Sequence, residues 1–243
     1  MKKQEKITIE DFKAECAQMR EQRLIILLEH VHNGVAFVDP ESTYIDDAVT
    51  IGQGTIVYPG VILSGKTVVG QDCTIGANTR IVDSIIGNGV EIQASHIVES
   101  QIGNECKIGP FAYLRPDSRI GDNVKIGDFV EIKNSVIGDG TKVPHLTYVG
   151  DADLGQNINL GCGVVFVNYD GSTKHRSIVE DRAFIGCNTN LISPVTVGEK
   201  AYVAAGSTLT KDVPAGALAV ARARQENVAG WVEKRGLLEK KKK

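Results

Sequence analysis

Aromatic side chains are scarce in this chain. They make up 5% of its 243 residues, with a single tryptophan. Large rings ordinarily fill much of a globular core, so their shortage points instead to thin, uniform layers of small and branched aliphatic residues. Long apolar runs are missing too. No stretch approaches the roughly 20 residues that span a bilayer, and the N-terminus lacks the apolar region of a secretion signal. A cytoplasmic location without a membrane partner is therefore expected. Neither sign of charge dominates: 27 Lys and Arg stand against 30 Asp and Glu, a net charge of −3. That balance leaves no electrostatic footprint for a nucleic-acid partner. The terminal run Glu239–Lys243 reads as a solvated tail. The five cysteines, an odd number, carry no C-x-x-C spacing. This argues against a disulfide framework and against a zinc site, and no metal is expected.

Glycine, at 26 residues, is abundant, and it falls in a pattern. An aliphatic residue recurs every six positions at Ile45, Ile51, Val57, Leu63, Val69, Ile75 and Ile81. The series continues through Ile86, Ile92, Ile97 and Ile102 with some steps of five, then through Ile108, Leu114, Ile120, Ile126 and Ile132 in sixes. Ile137, Val143, Val149, Leu154, Leu160 and Phe166 extend it, and after a break it resumes at Ile185, Leu191, Val197, Val203 and Leu209. The residue two before each mark is usually small or β-branched, as with Cys73, Val124 and Ala201. Period-two spacing puts both on one face of a strand. Glycine directly after many marks supports a turn.

Short strands turning every six residues describe a hexapeptide-repeat parallel β-helix, an all-β solenoid with about 18 residues per triangular coil. Residues 8–30 lack the pattern and read as a helix capping the first coil. The chain divides into an N-terminal helical segment and linker at 1–38, a β-helix at 39–212, and a C-terminal extension at 213–243. Cys73 and Cys106 read as core, and Cys16 as helix packing.

Folding the repeat back places residues one coil apart above one another, about 4.8 Å away. Arg115 follows Leu114 and Lys133 follows Ile132, so these two cations, 18 apart, stack. Tyr148 belongs to the next coil on the same side. His145 lies two residues after Val143, Cys162 two after Leu160, Cys187 two after Ile185, and Ala205 two after Val203. The steps are 17, 25 and 18. The 25 leaves seven residues beyond one coil, so a loop must be inserted there, within "VNYDGSTKHRS" at 167–177. That polar loop carries Asn168, Tyr169, Lys174, His175 and Arg176, and ejected polar loops are where function is usually placed. One edge of the tube thus offers His145, then a track of small residues. Arg115, Lys133 and Lys174 beside it suit a phosphate-bearing ligand.

The segments "FAYLRPDSRIG", "KNSVIGDGTKVPHLTYVGDADLGQNINLGCG", "VNYDGSTKHRS", "FIGCNTNLISPVTVG" and "YVAAGSTLTKDVP" resemble the C-terminal acetyltransferase domain of a bifunctional bacterial family. That family combines glucosamine-1-phosphate N-acetyltransferase with N-acetylglucosamine-1-phosphate uridyltransferase. The resemblance covers roughly residues 33–231. It implies a left-handed β-helix, a homotrimer with shared active sites, and transfer of acetyl from acetyl-CoA to glucosamine 1-phosphate in UDP-N-acetylglucosamine biosynthesis. By motif match it implies His145 as general base, with Arg115, Lys133, Tyr148, Asn159 and Lys174 on the phosphosugar. It implies Cys162, Asn168, Tyr169, Cys187, Ala205 and Arg222 on acetyl-CoA. The column reading agrees independently for His145, Cys162, Cys187 and Ala205, and is silent on Arg222. Two positions depart from the family: Cys187 stands where serine is frequent and Cys162 where alanine is. Nothing here resembles the family's Gly-rich nucleotidyltransferase motif, so uridyl transfer is expected to be absent.

An imidazole, with an ordinary pKa near ~6.5, can take the amine proton during attack on the thioester. For the oxyanion, backbone N–H groups and Tyr148 are both candidates. Three other readings stand beside this one: a hexapeptide acyltransferase for a different amino sugar, a metal-binding β-helix, which needs several converging histidines, and a non-catalytic assembly module.

Overall fold

The computed structural model describes residues 7–237. The basic run Glu239–Lys243 lies outside the described residues. The chain forms a left-handed parallel β-helix of hexapeptide repeats with an N-terminal helix. Its three faces are parallel sheets of eleven, ten and nine strands. One coil illustrates the winding: Lys142–His145 lies on the first face, Tyr148–Gly150 on the second and Ala152–Leu154 on the third.

The marked aliphatic residues all point into the tube. Every one from Ile45 to Leu209 is buried, with Val57, Leu63, Ile132, Val143 and Phe166 fully so. Burial of each such side chain contributes about 1.5–3 kcal/mol, and the stack repeats it coil after coil. The small residues two before them line the corners; Cys73 and Cys106 are 1% and 0% exposed. Turns close through buried hydroxyls. Ser118 Oγ donates to the Arg115 carbonyl at 2.7 Å and Ser135 Oγ to the Lys133 carbonyl at 2.8 Å. Stacked glycines let successive backbones approach: a Cβ on Gly52 would sit 2.6 Å from the Gln71 nitrogen. Outside glycine, left-handed backbone in the turns falls most often on Asn and Asp, such as Asn78 at φ 60° and Asn123 at φ 56°.

The paired strands run past the expected 39–212 at both ends. Ala36–Phe37 pairs with Ile56–Val57, and Leu218–Ala219 pairs with Tyr202–Val203. Backbone pairing continues there although the side chains drop the repeat. The helix spans Ile9–His32 and begins with a capping box between Thr8 and Asp11. It buries Leu27 and His30 against the first coil, and Arg23 lies over the Tyr44 ring at 4.8 Å. Cys16 is exposed, which corrects its reading as a packing residue, because the helix touches the coil mainly through its C-terminal half. No helix among the described residues is long and apolar enough to cross a membrane.

Candidate active site

The column read from the sequence exists, and it starts one coil lower. Strand Lys125–Asp128 pairs with Lys142–His145 so that Asp128 lies directly beneath His145. The His145 ring nitrogen Nδ1 stands 2.6 Å from Asp128 Oδ1. The hydrogen bond from His145 holds the Asp128 carboxyl below the usual carboxylate range. An ionised carboxylate only accepts, so Nδ1 carries the proton and a neutral ring leaves Nε2 free as a base. The backbone fixes this pair as well. Leu146 N–H donates to the Asp128 carbonyl at 3.0 Å, and Thr147 Oγ1 donates to the His145 carbonyl at 2.7 Å.

Above His145 the column rises through Cys162, Cys187 and Ala205. Leu160 pairs with Ile185 and Ile185 with Val203, which stacks the residues two further on. Ala221 N–H reaches Ser207 Oγ at 3.2 Å and continues the coil. Arg222 thereby packs over Gly206, 3.7 Å from where its Cβ would be. The structure thus brings Arg222 over Gly206, the residue after Ala205, a placement on which the sequence pattern is silent.

The cations gather on the second face. Leu114 pairs with Ile132 and Lys133 with Gly150, confirming the Arg115–Lys133 stack. Arg115 donates to Glu131 Oε1 at 2.8 Å. Lys133 Nζ lies 3.3 Å from both Asp151 oxygens. Tyr148 pairs with Glu131, in the neighbouring outward column. Its hydroxyl nevertheless reaches over Gly150, because a Cβ there would collide with it. Lys174 is exposed, and the ammonium of Lys133 beside it pushes its pKa down, with Arg115 adding to the effect. Among the described residues no carboxylate pairs with Lys174, while Arg115 and Lys133 each have one. Three converging cations with one unmatched can hold a phosphate.

Asp151, which the sequence reading missed, is the hub of this region. Burial pushes its carboxyl up, but hydrogen bonds from Asn134, Asn168 and Lys133 outweigh that and hold it below the usual value. The Asn134 contact is 2.6 Å, and the Asn168 amide donates to the other oxygen. Asn168, itself buried, also stands 3.4 Å from the Tyr148 hydroxyl.

The ejected loop hangs from these anchors. Strand Val165–Val167 ends one side and Ser177–Val179 begins the other, with Val179 already back in register against Leu154. Tyr169 and Lys174 bridge across it. Asp170 accepts from Ser172 N–H, Thr173 N–H and His175 Nε2, each at 2.7 Å, and these bonds, led by that from Thr173, pull its pKa to about 2. Arg176 pins the base, with Nε 2.6 Å from Asp153 Oδ2. Tyr169 is exposed, its hydroxyl turned to the Gly171 carbonyl at 2.7 Å. Asn159 stands on a different face from Arg115 and Lys133, outward on the first face between Lys142 and Phe184.

Beside the His145 column runs an apolar ridge. Phe111, Phe129 and Leu146 are all more than half exposed and all have positive φ, at 59°, 55° and 45°. The two rings stack at 5.5 Å.

Comparison with known proteins gives three results. The family model described as bacterial transferase hexapeptide (six repeats) matches residues 48–83 and 99–134. The chain is 60% identical to the bifunctional protein GlmU of Alkaliphilus oremlandii over 88% of its own length and 47% of that protein. It is 59% identical to GlmU of Clostridioides difficile over 85% of its own length and 45% of that protein. It spans about half the length of the curated relatives it matches. Among solved structures it resembles a UDP-N-acetylglucosamine acyltransferase of Francisella novicida, with TM-score 0.49 and 19% identity over 74% of this chain and 65% of that one. A second is a histidine-to-alanine mutant of a GDP-perosamine N-acetyl transferase from Caulobacter crescentus, in complex with CoA and GDP-perosamine, with TM-score 0.41 and 29% identity over 45% of this chain and 50% of that one.

Proposed function

We propose that this chain is a hexapeptide-repeat transferase that moves acetyl from acetyl-CoA to the amine of glucosamine 1-phosphate, a step toward UDP-N-acetylglucosamine in the cytoplasm, a reading supported by its similarity to the GlmU proteins. The observation that carries this reading is the Asp128–His145 pair at the foot of the small-residue column. A base at that point meets an acyl donor laid along Cys162, Cys187 and Ala205, with Asn168, Tyr169 and Arg222 flanking it. The phosphate of the acceptor sits among Arg115, Lys133 and Lys174, with Tyr148 and Asn159 on the sugar.

The reaction needs no covalent enzyme intermediate. The neutral amine attacks the thioester carbon, the N–C bond forms, and His145 Nε2 takes the amine proton. As the tetrahedral intermediate collapses, the C–S bond breaks and the proton passes to the CoA thiolate. Asp128 stabilises the imidazolium formed in between and keeps the ring in the correct tautomer. Holding donor and acceptor along one edge removes much of the entropic cost of their encounter. The exposed Phe111–Phe129–Leu146 ridge next to His145 supports a homotrimer in which a second copy covers that edge.

Release of CoA thiol in a colorimetric assay tests the proposal. Turnover is expected with acetyl-CoA and glucosamine 1-phosphate, and much less with unphosphorylated glucosamine. Equal turnover with both acceptors overturns the phosphate site. Absence of release overturns the activity.

A further inference from the structure

The cysteines divide by surroundings. Cys73 and Cys106 are sealed in the tube, with Sγ 3.2 Å from the Gly87 carbonyl and 3.0 Å from the Gly121 carbonyl. Burial pushes both thiols up, Cys106 to about 11, which makes them poor nucleophiles. Cys16 stands alone on the helix surface. Cys162 and Cys187 differ from all three: one is half-buried, the other exposed, and they occupy one outward column on adjacent coils.

The register around this pair is closed on both sides. Asn159 and Leu160 pair with Phe184 and Ile185 just before it. Just after it, Asn188 N–H donates to the Cys162 carbonyl at 2.8 Å. Gly161 keeps the two backbones close, since a Cβ there would lie 2.8 Å from the Cys187 Cα. Stacked residues in a parallel ladder have Cα atoms about 4.8 Å apart, inside the range of about 4.4–6.8 Å that a disulfide spans.

We propose that Cys162 and Cys187 form a dithiol site that reacts with low-molecular-weight disulfides of the coenzyme A class. The choice of coenzyme A rests on the acetyl-transfer reading, in which this column carries the acyl donor and the product released there is a thiol. The oxidised form of that thiol is a symmetrical disulfide with the same nucleotide and pantetheine arm. One cysteine thiolate attacks a sulfur of that disulfide, forming a mixed disulfide and releasing one CoA thiolate, which takes up the cysteine's proton. The second cysteine then attacks the protein sulfur of the mixed disulfide. The Cys162–Cys187 bond forms and a second CoA thiol leaves. Two protein thiols are oxidised and one small disulfide is reduced to two thiols. The closed bridge occupies the donor track, so the chain reports the oxidation state of its own product.

The test uses the fully reduced full chain, treated anaerobically with CoA disulfide, with thiol titration and peptide mass mapping. The expected result is loss of two thiols per chain, a linked Cys162–Cys187 peptide, and loss of CoA release that dithiothreitol restores. Acetyl-CoA present at ten times its Kd should slow the linkage about tenfold. Cys187→Ser should stop at a mixed disulfide on Cys162, read by mass alone. Both residues remaining as thiols, or modification of Cys16 only, overturns the proposal. Linkage at equal rates with glutathione disulfide and without acetyl-CoA protection also overturns the CoA assignment, and it marks failure of the donor-track reading separately from failure of the dithiol.

Discussion

Asp128 and His145 sit one above the other on adjacent coils, with carboxylate and imidazole 2.6 Å apart and the following backbone N–H bonded to the Asp128 carbonyl. The carboxylate thus sets the tautomer of the imidazole through a contact that the repeat itself supplies. Asp128→Asn preserves the shape but can present an N–H to the ring and invert the tautomer. CoA-release kinetics should show kcat reduced by about 100-fold with KM for either substrate nearly unchanged. A KM effect with kcat intact would assign Asp128 to substrate binding instead.

Gly150 leaves the space that the Tyr148 hydroxyl occupies. A Cβ there would also stand 2.8 Å from Asn168 Nδ2. The backbone at Gly150 needs no left-handed conformation, so Gly150→Ala should fold normally and swing Tyr148 aside. KM for glucosamine 1-phosphate should rise about tenfold, worth ~1.4 kcal/mol, while KM for acetyl-CoA moves less. Equal shifts in both constants would contradict this division.

Asp151 ties Lys133 to Asn168 and is 6% exposed. Asp151→Ala leaves a half-buried ammonium and a buried amide without their partner. Denaturant unfolding should show a loss of about 3 kcal/mol. Asp151→Asn, which keeps the shape, should lose less stability yet still weaken phosphosugar binding, because the loop bearing Lys174 loses its anchor.

The loop also carries an acid-sensitive lock. Asp170 titrates at about 2 in the folded chain because Thr173, Ser172 and His175 hydrogen-bond its carboxylate. A depressed carboxylate stabilises the folded form above its unfolded pKa near ~3.9 and loses that contribution as pH falls through the folded value. Amide exchange of residues 170–175 should therefore be protected at neutral pH and lose protection between about pH 4 and pH 2. Protection that is flat across this window would remove the lock.

Phe166 is the one ring among the marked inward positions, and it is fully buried. It fills the tube on the strand Val165–Val167, from whose end the loop leaves. Phe166→Ala should cost about 3–5 kcal/mol in unfolding experiments. A loss below about 1 kcal/mol would mean that the neighbouring coils collapse onto the cavity.

Most of the solenoid is legible in the chain because one short-range rule repeats. Each inward aliphatic predicts the next, and every marked residue is buried. The column above His145 is legible for the same reason. Its lower end is equally accessible: the 17-residue step that defines the coil leads back from His145 to Asp128, and a column anchored on small residues passes over it. Asp151 is different. It follows Gly150 and reads as an ordinary turn residue, with φ at 51°. Its role depends on which side chains the turn brings against it, from 17 and 18 residues before it and 17 after it, and no local pattern records that. Arg222 lies where the aliphatic period has lapsed while backbone pairing persists, so the arithmetic ends just before the residue it would have located.

The ejected loop enters after Val167 and rejoins at Ser177, and Leu154 still faces Val179 across the gap. The register of the tube above and below is therefore independent of the exposed tip between the Asn168 and Arg176 anchors. Residues can be added, removed or exchanged in this segment without passing a frame error up the stack. The exposed tip of the segment is an interchangeable part: it can be rewritten between its anchors while the coils on either side keep their register.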